Sequence, residues 1–200
     1  MRIVIATSNK GKIREIKELF HDREVFPYTE LMEAFEIIED GDTFKENALI
    51  KARAVYQALG DAEAVVVADD SGISVDVLEG APGIYSARYA GEGCSDKDNF
   101  NKLINAVKSA GFESSPAYYT AAVAIVSKEG ESCVHGWMHG DISIFPQGEN
   151  GFGYDPIFTP SGQTLTLGEL DSEVKVGISH RSKALHLAKM LIDQIKAQRS

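Results

Sequence analysis

The chain has 200 residues, enough to bury one substantial core or two smaller ones sharing a sheet, and its 44% hydrophobic and 25% charged content is ordinary for a globular protein. A formal net charge of −10 argues against sequence-independent nucleic-acid binding, which needs clustered lysine and arginine, but leaves room for a small anion in a local basic pocket. Two cysteines, Cys94 and Cys133, are too few for a disulfide framework or a cysteine zinc site, and no apolar run approaches the about 20 residues of a membrane helix, so the expected setting is the reducing cytoplasm, with no membrane partner.

In chain order, Arg2 to Ala6 predicts a strand that turns polar too soon for a secretory signal, and Ile13, Ile16, Leu19 and Phe20 then recur at helical spacing. Between them lie Thr7, Ser8, Asn9, Lys10, Gly11 and Lys12. Backbone N–H groups at a helix start, the helix dipole and two lysines suit an anion there, although a capped helix with solvated lysines reads at least as well, and the spacing is not that of a P-loop. After Val25-Phe26 comes an acidic, irregular stretch, Glu36 to Asp42. Thr43 and Glu46 then form a capping box for a helix that buries Ala48, Ala52, Val55, Tyr56 and Leu59 and stops at Gly60. Glu39 and Asp40 are ordinary dipole partners for that helix or, on a sharper reading, metal ligands arriving opposite a second acid.

That second acid lies in Val65-Val66-Val67-Ala68-Asp69-Asp70-Ser71-Gly72, where an apolar run is expected to end as a buried strand in two carboxylates and a turn. A hard divalent cation is one use for such a pair, and a plain turn is the other reading. Ile73 to Val77 alternates like a half-exposed strand, and Gly80-Ala81-Pro82-Gly83 turns the chain. Ser95 with Asp98 caps a helix carrying Phe100, Leu103, Ile104 and Val107 and ending at Gly111. Ala117–Ser127 and Ser132–Ser143 form a long hairpin, on which His135 and His139 are too far apart for one metal. Gly148, Gly151 and Gly153 frame Phe152 in a loop, where the ring either stacks on a planar ligand or plugs the core. Ser179-His180-Arg181 precedes a last helix with Ala184, Leu187, Ala188, Leu191 and Ile195 on its buried side. Alternating strands and helices followed by a hairpin predict an α/β architecture with a mixed sheet.

Six stretches, in order, resemble the inosine triphosphate pyrophosphatase family: Ala6 to Lys12, Thr43 to Ala48 with Lys51-Ala52-Arg53, Ala68 to Gly72, Gly80 to Arg88, Gly151 to Pro156, and Ile178 to Arg181. Ser8 and Ser182 stand where glycine is usual, and neither change removes a charged or stacking group. The resemblance implies one α/β domain over residues 1–200, an elongated two-lobed fold around a central mixed β-sheet with flanking helices, and a nucleotide cleft between the lobes. It also implies a homodimer that hydrolyses noncanonical purine triphosphates (ITP, dITP, XTP) to the monophosphate and pyrophosphate with Mg2+, cleansing the nucleotide pool. Carried over by position, Asp70 is the general base and a metal ligand with Glu39, and Asp69 is a less certain neighbour. Thr7, Ser8, Asn9, Lys10, Gly11, Lys12 and Ser71 match the triphosphate site, with Lys51 a further cation. Phe152 matches the aromatic that stacks on the base, and Gly153, Tyr154, Asp155, Lys175, His180 and Arg181 surround the base and its ring oxygen. Two alternatives are a haloacid-type phosphatase, which lacks its expected aspartate two residues after the nucleophile, and a nucleotide-binding module without turnover.

Overall fold

The computed structural model describes residues 1–199. Five helices flank an open six-stranded sheet of order β2-β1-β3-β4-β5-β6. The strands are β1 (Arg2–Ile5), β2 (Val25–Pro27), β3 (Ala64–Val75), β4 (Ser114–Ser127), β5 (Gly130–Ser143) and β6 (Phe158–Pro160). The helices are α1 (Lys10–Leu19), α2 (Phe44–Leu59), α3 (Asp96–Ser109), α4 (Ser172–Ile178) and α5 (His180–Gln198). Strand β1 runs parallel to both β2 and β3, which requires the crossovers that α1 and α2 supply, while β5 and β6 are antiparallel. The sheet is therefore mixed, as the alternation of elements predicts.

The chain divides into two compact units: residues 1–70 with 121–136 and Arg181 onward, and residues 71–120 with 137–180. In the first, the sheet is apolar on both faces. Ile3, Ile5, Val65, Val67, Ala121, Val123 and Ile125 meet Ile16 and Phe20 of the α1 segment and Ala184, Leu185, Ala188 and Ile192 of α5. The intervening Val4, Ala64, Val66, Ala68, Ala122 and Ala124 meet Ala48, Leu49, Ala52 and Val55 of α2. Each fully buried valine or isoleucine contributes about 1.5–3 kcal/mol, and β3 lies beside β1 with Ala64 opposite Arg2 and Val67 opposite Ile5. In the second unit, Leu103, Ile104 and Val107 of α3 pack with Tyr119, Met138, Ile142, Phe158, Leu167 and Leu170.

Several expectations need correction. Strand β3 does not end at the aspartates: it continues to Val75, so Ile73 to Val75 is strand as expected but buried and not half-exposed, and a 3-10 turn over Asp76–Leu78 takes the rest of the expected alternation. The turn preference of Asp-Asp-Ser-Gly yields because both carboxylates have cationic partners, which removes the reason to reach solvent. The capping box at Thr43 is half formed, since Thr43 accepts from Glu46 N–H but Glu46 reaches Asp42 N–H instead. On α5, Leu185 and Ile192 are buried and Leu187 is 45% exposed, because adjacent apolar stripes leave the buried one ambiguous. Helix α4, with Lys175, falls where no helix is expected, and His180 and Arg181 lie within the first turn of α5.

Candidate active site

Neighbouring side chains on a strand face opposite ways, so Asp69 and Asp70 serve different environments. Asp69 shares the parity of Val65 and Val67 and points toward α1 and α5, whereas Asp70 shares that of Val66 and Ala68 and points toward α2. Asp69 is 1% exposed and clamped: Lys12 Nζ lies 2.6 Å from Oδ1 and Arg181 Nε donates to Oδ2 at 3.1 Å. Burial alone would raise its carboxyl, but the charges of Lys12 and Arg181 outweigh that and hold it well below the usual carboxylate range. Arg181, itself 5% exposed, also donates to Glu15 Oε2 at 3.0 Å.

Asp70 is arranged differently. Its Oδ1 accepts from Lys51 Nζ at 3.2 Å, while Oδ2 is buried without a hydrogen-bond partner. The same ammonium donates to Glu39 Oε2 at 2.7 Å, so Lys51 gathers two carboxylates around one cation. Burial pushes Asp70 above its ordinary value; Lys51 opposes this and Glu39 reinforces it. Burial works against the charge on Lys51 as well, but Asp70 and Glu39 more than restore it. Among the described residues no group of three or more His, Cys, Asp or Glu could hold a metal, and His139 packs against Tyr118 at 5.6 Å between ring centroids. Two carboxylates with an open oxygen nevertheless suit a hard divalent ion that completes its shell with water and phosphate oxygens.

The loop before α1 carries a helix cap. Asn9 Oδ1 accepts from Gly11 and Lys12 N–H at 2.9 and 3.1 Å, so those two donors are already engaged, and Thr7 Oγ1 accepts from Asn9 N–H at 3.2 Å. Ser8 and Lys10 are exposed beside it. Ser71 follows Asp70 on β3 and is half-buried.

In the second unit the glycine loop is pinned rather than loose. Phe152 N–H donates to Asp155 Oδ2 at 3.3 Å and Gly153 N–H to Asp96 Oδ2 at 3.0 Å. Lys175 on α4 pairs with Asp155 at 3.3 Å. Gly151 has φ +89°, and a Cβ there would overlap Asp155 Oδ2 and approach Lys175 Nζ, so both backbone and packing require glycine. Tyr154 is buried, donating its hydroxyl to Ser86 O at 2.7 Å, while the Phe152 ring is 54% exposed. Phe152 is thus not a core plug. His180 stacks on Tyr119, centroids 4.7 Å apart and planes 13° from parallel.

Sequence reasoning misses Glu15, Ser86 and Asp96. Glu15 reads as a solvated helix acid and Asp96 as a dipole partner in a first turn, so only their distant partners, Arg181 and Gly153, reveal them.

Residues 3–191 match the sequence model of the Ham1 family. A protein of Sulfurimonas denitrificans named dITP/XTP pyrophosphatase is 60% identical over 98% of this chain and 100% of its own length. Among solved structures, the Ham1 protein of Staphylococcus aureus aligns with TM-score 0.87 and 39% identity over 97% of this chain and 99% of that one. A HAM1 protein from Coxiella burnetii aligns with TM-score 0.88 and 37% identity over the same shares, 97% and 99%.

Proposed function

The chain belongs to the Ham1 family, and from that premise we propose that it hydrolyses noncanonical purine nucleoside triphosphates (dITP, XTP, ITP) to the monophosphate and pyrophosphate, cleansing the nucleotide pool. The observation that carries this reading is the contrast on β3: one aspartate ion-paired through both oxygens to Lys12 and Arg181, and its neighbour paired through one oxygen to Lys51 with the other buried and in no ion pair, beside Glu39. Asp70 is the proton acceptor. A carboxylate raised by burial is a better base than an ordinary one, and a water within its reach loses its proton as it attacks the α-phosphorus. Asp69 is too firmly ion-paired for that task and instead holds Lys12 and Arg181.

Magnesium held by Glu39 and Asp70 supplies charge neutralisation when bound. Lys12, Asn9 and Ser71, with Thr7, Ser8, Lys10 and Gly11, receive the triphosphate, and Lys51 adds a cation close to the base. Concentrated positive charge offsets the repulsion between a triphosphate and an incoming nucleophile. Phe152 stacks on the purine, with Gly153, Tyr154, Asp155, Lys175 and His180 around it. Arg181 donates to the keto oxygen at C6 of hypoxanthine or xanthine, where adenine's amino group would set donor against donor; Asp69 and Glu15 fix the plane of its guanidinium. The enzyme works as a cytoplasmic homodimer, and no helix among the described residues is long and apolar enough to cross a membrane.

Incubation with a panel of triphosphates, assaying pyrophosphate and orthophosphate separately with and without magnesium, tests the activity. Pyrophosphate from dITP and XTP is expected, with little from ATP. Orthophosphate release would point to a phosphatase, and binding without turnover to a silent module. The base platform has its own test: Phe152→Ala raises KM for dITP by the loss of about 1–3 kcal/mol of stacking, roughly five- to two-hundredfold, with magnesium dependence intact. Unchanged KM and base preference would return the ring to a structural role.

A further inference from the structure

Two acids lie in the first turn of α3, and they do different work. Asp98 completes the cap: Ser95 N–H donates to Asp98 Oδ2 at 2.9 Å and Asp98 N–H donates back to Ser95 Oγ at 3.2 Å. Asp96 is not needed for that box, and its Oδ2 instead accepts the N–H of Gly153, 57 positions along the chain, at 3.0 Å. We propose that Asp96 is a positioning residue for base recognition, fixing the glycine loop so that the exposed Phe152 ring is held ready for a planar purine before substrate arrives. This rests on Phe152 being the stacking platform.

The chain's own geometry supports it. Gly151 and Gly153 both have positive φ, +89° and +61°, a backbone that glycine adopts at no steric cost and leaves as readily. Several anchors restrain the stretch around Phe152: Asp155 on Phe152 N–H, Lys175 on Asp155, the backbone of Gly168 on Asn150 N–H and on Asp155 O, the Tyr154 hydroxyl on Ser86 O, and Asp96 on Gly153 N–H. Of these, only Asp96 ties the loop backbone to α3. The side chain of Phe152 makes no matching commitment and remains 54% exposed. Ordering a loose glycine loop during binding costs affinity that a preordered platform keeps, so loss of the Asp96 contact falls on substrate binding and not on the chemical step.

The test is a double-mutant cycle between Asp96→Ala and Phe152→Ala, with Asp96→Asn as the conservative variant and dITP as substrate. Asp96→Ala is expected to raise KM roughly five- to tenfold with kcat within about twofold, Asp96→Asn to restore most of it through its remaining carbonyl oxygen, and Asp96→Ala to add nothing once Phe152 is alanine. A lowered melting temperature without a KM change would reduce Asp96 to helix stability and overturn the proposal. A KM effect that persists undiminished in the Phe152→Ala background would overturn it too, by showing that Asp96 acts elsewhere. Phe152→Ala with unaltered KM is a separate failure, of the stacking platform itself, and removes the proposal with it.

Discussion

Asp70→Asn lowers kcat for dITP by roughly two to four orders of magnitude while substrate still binds, the range expected when a general base is lost. Asparagine keeps the size and one acceptor oxygen of aspartate but cannot take a proton. The fold tolerates the change because Lys51 retains Glu39 at 2.7 Å, and the orphaned oxygen of Asp70 holds no partner that would be lost. With Glu39 and Asp70 proposed to hold magnesium, loss of one carboxylate is also expected to raise the magnesium concentration needed, so kcat is measured at saturating dITP across a magnesium titration. A near-normal kcat at high magnesium would leave Asp70 a metal ligand only and move the proton to Glu39 or solvent. Asp69 is the poorer substitute, being held ionised and already bonded to two cations.

Arg181→Ala destabilises the fold by roughly 3–5 kcal/mol, because it leaves a buried carboxylate with one of its two cations gone. The arginine is 5% exposed and joins Asp69 to Glu15, so water replaces it poorly. At roughly 2–4 °C per kcal/mol for a chain of this size, the melting temperature falls by about 6–20 °C. In protein that remains folded, the gap between ITP and ATP also narrows, since a donor that meets one base and opposes the other is missing. A melting temperature unchanged within error would contradict the buried pair, and an equal loss of activity on ITP and ATP would contradict the selectivity role.

The α/β class was legible because three features agree across levels: the apolar runs from Arg2 to Ala6 and from Val65 to Ala68, helices bounded by Asn9, Thr43, Ser95 and Gly60, and a hairpin late in the chain. Length of β3 was not legible. Asp, Ser and Gly carry turn preference locally, and what overrides it comes from Lys12, Lys51 and Arg181, distant in sequence. The different fates of Asp69 and Asp70 were nonetheless present in the alternation, since counting back by twos from each reaches Val67 and Val65 or Ala68 and Val66. Which of those faces holds two cations and which holds one needed the helices in place. Short α4 escaped for another reason: its only apolar side chains, Val174, Val176 and Ile178, alternate as on a strand, and Val174 and Val176 are exposed.

Attack of water on the α-phosphorus, the position that the proposed role of Asp70 requires, leaves its mark on the products. Hydrolysis of dITP in water enriched in oxygen-18, followed by mass spectrometry of both products, tests it in one measurement. The account predicts one labelled oxygen in the monophosphate and none in the pyrophosphate. Label in the pyrophosphate, or in released orthophosphate, would place the attack at a different phosphorus and contradict it.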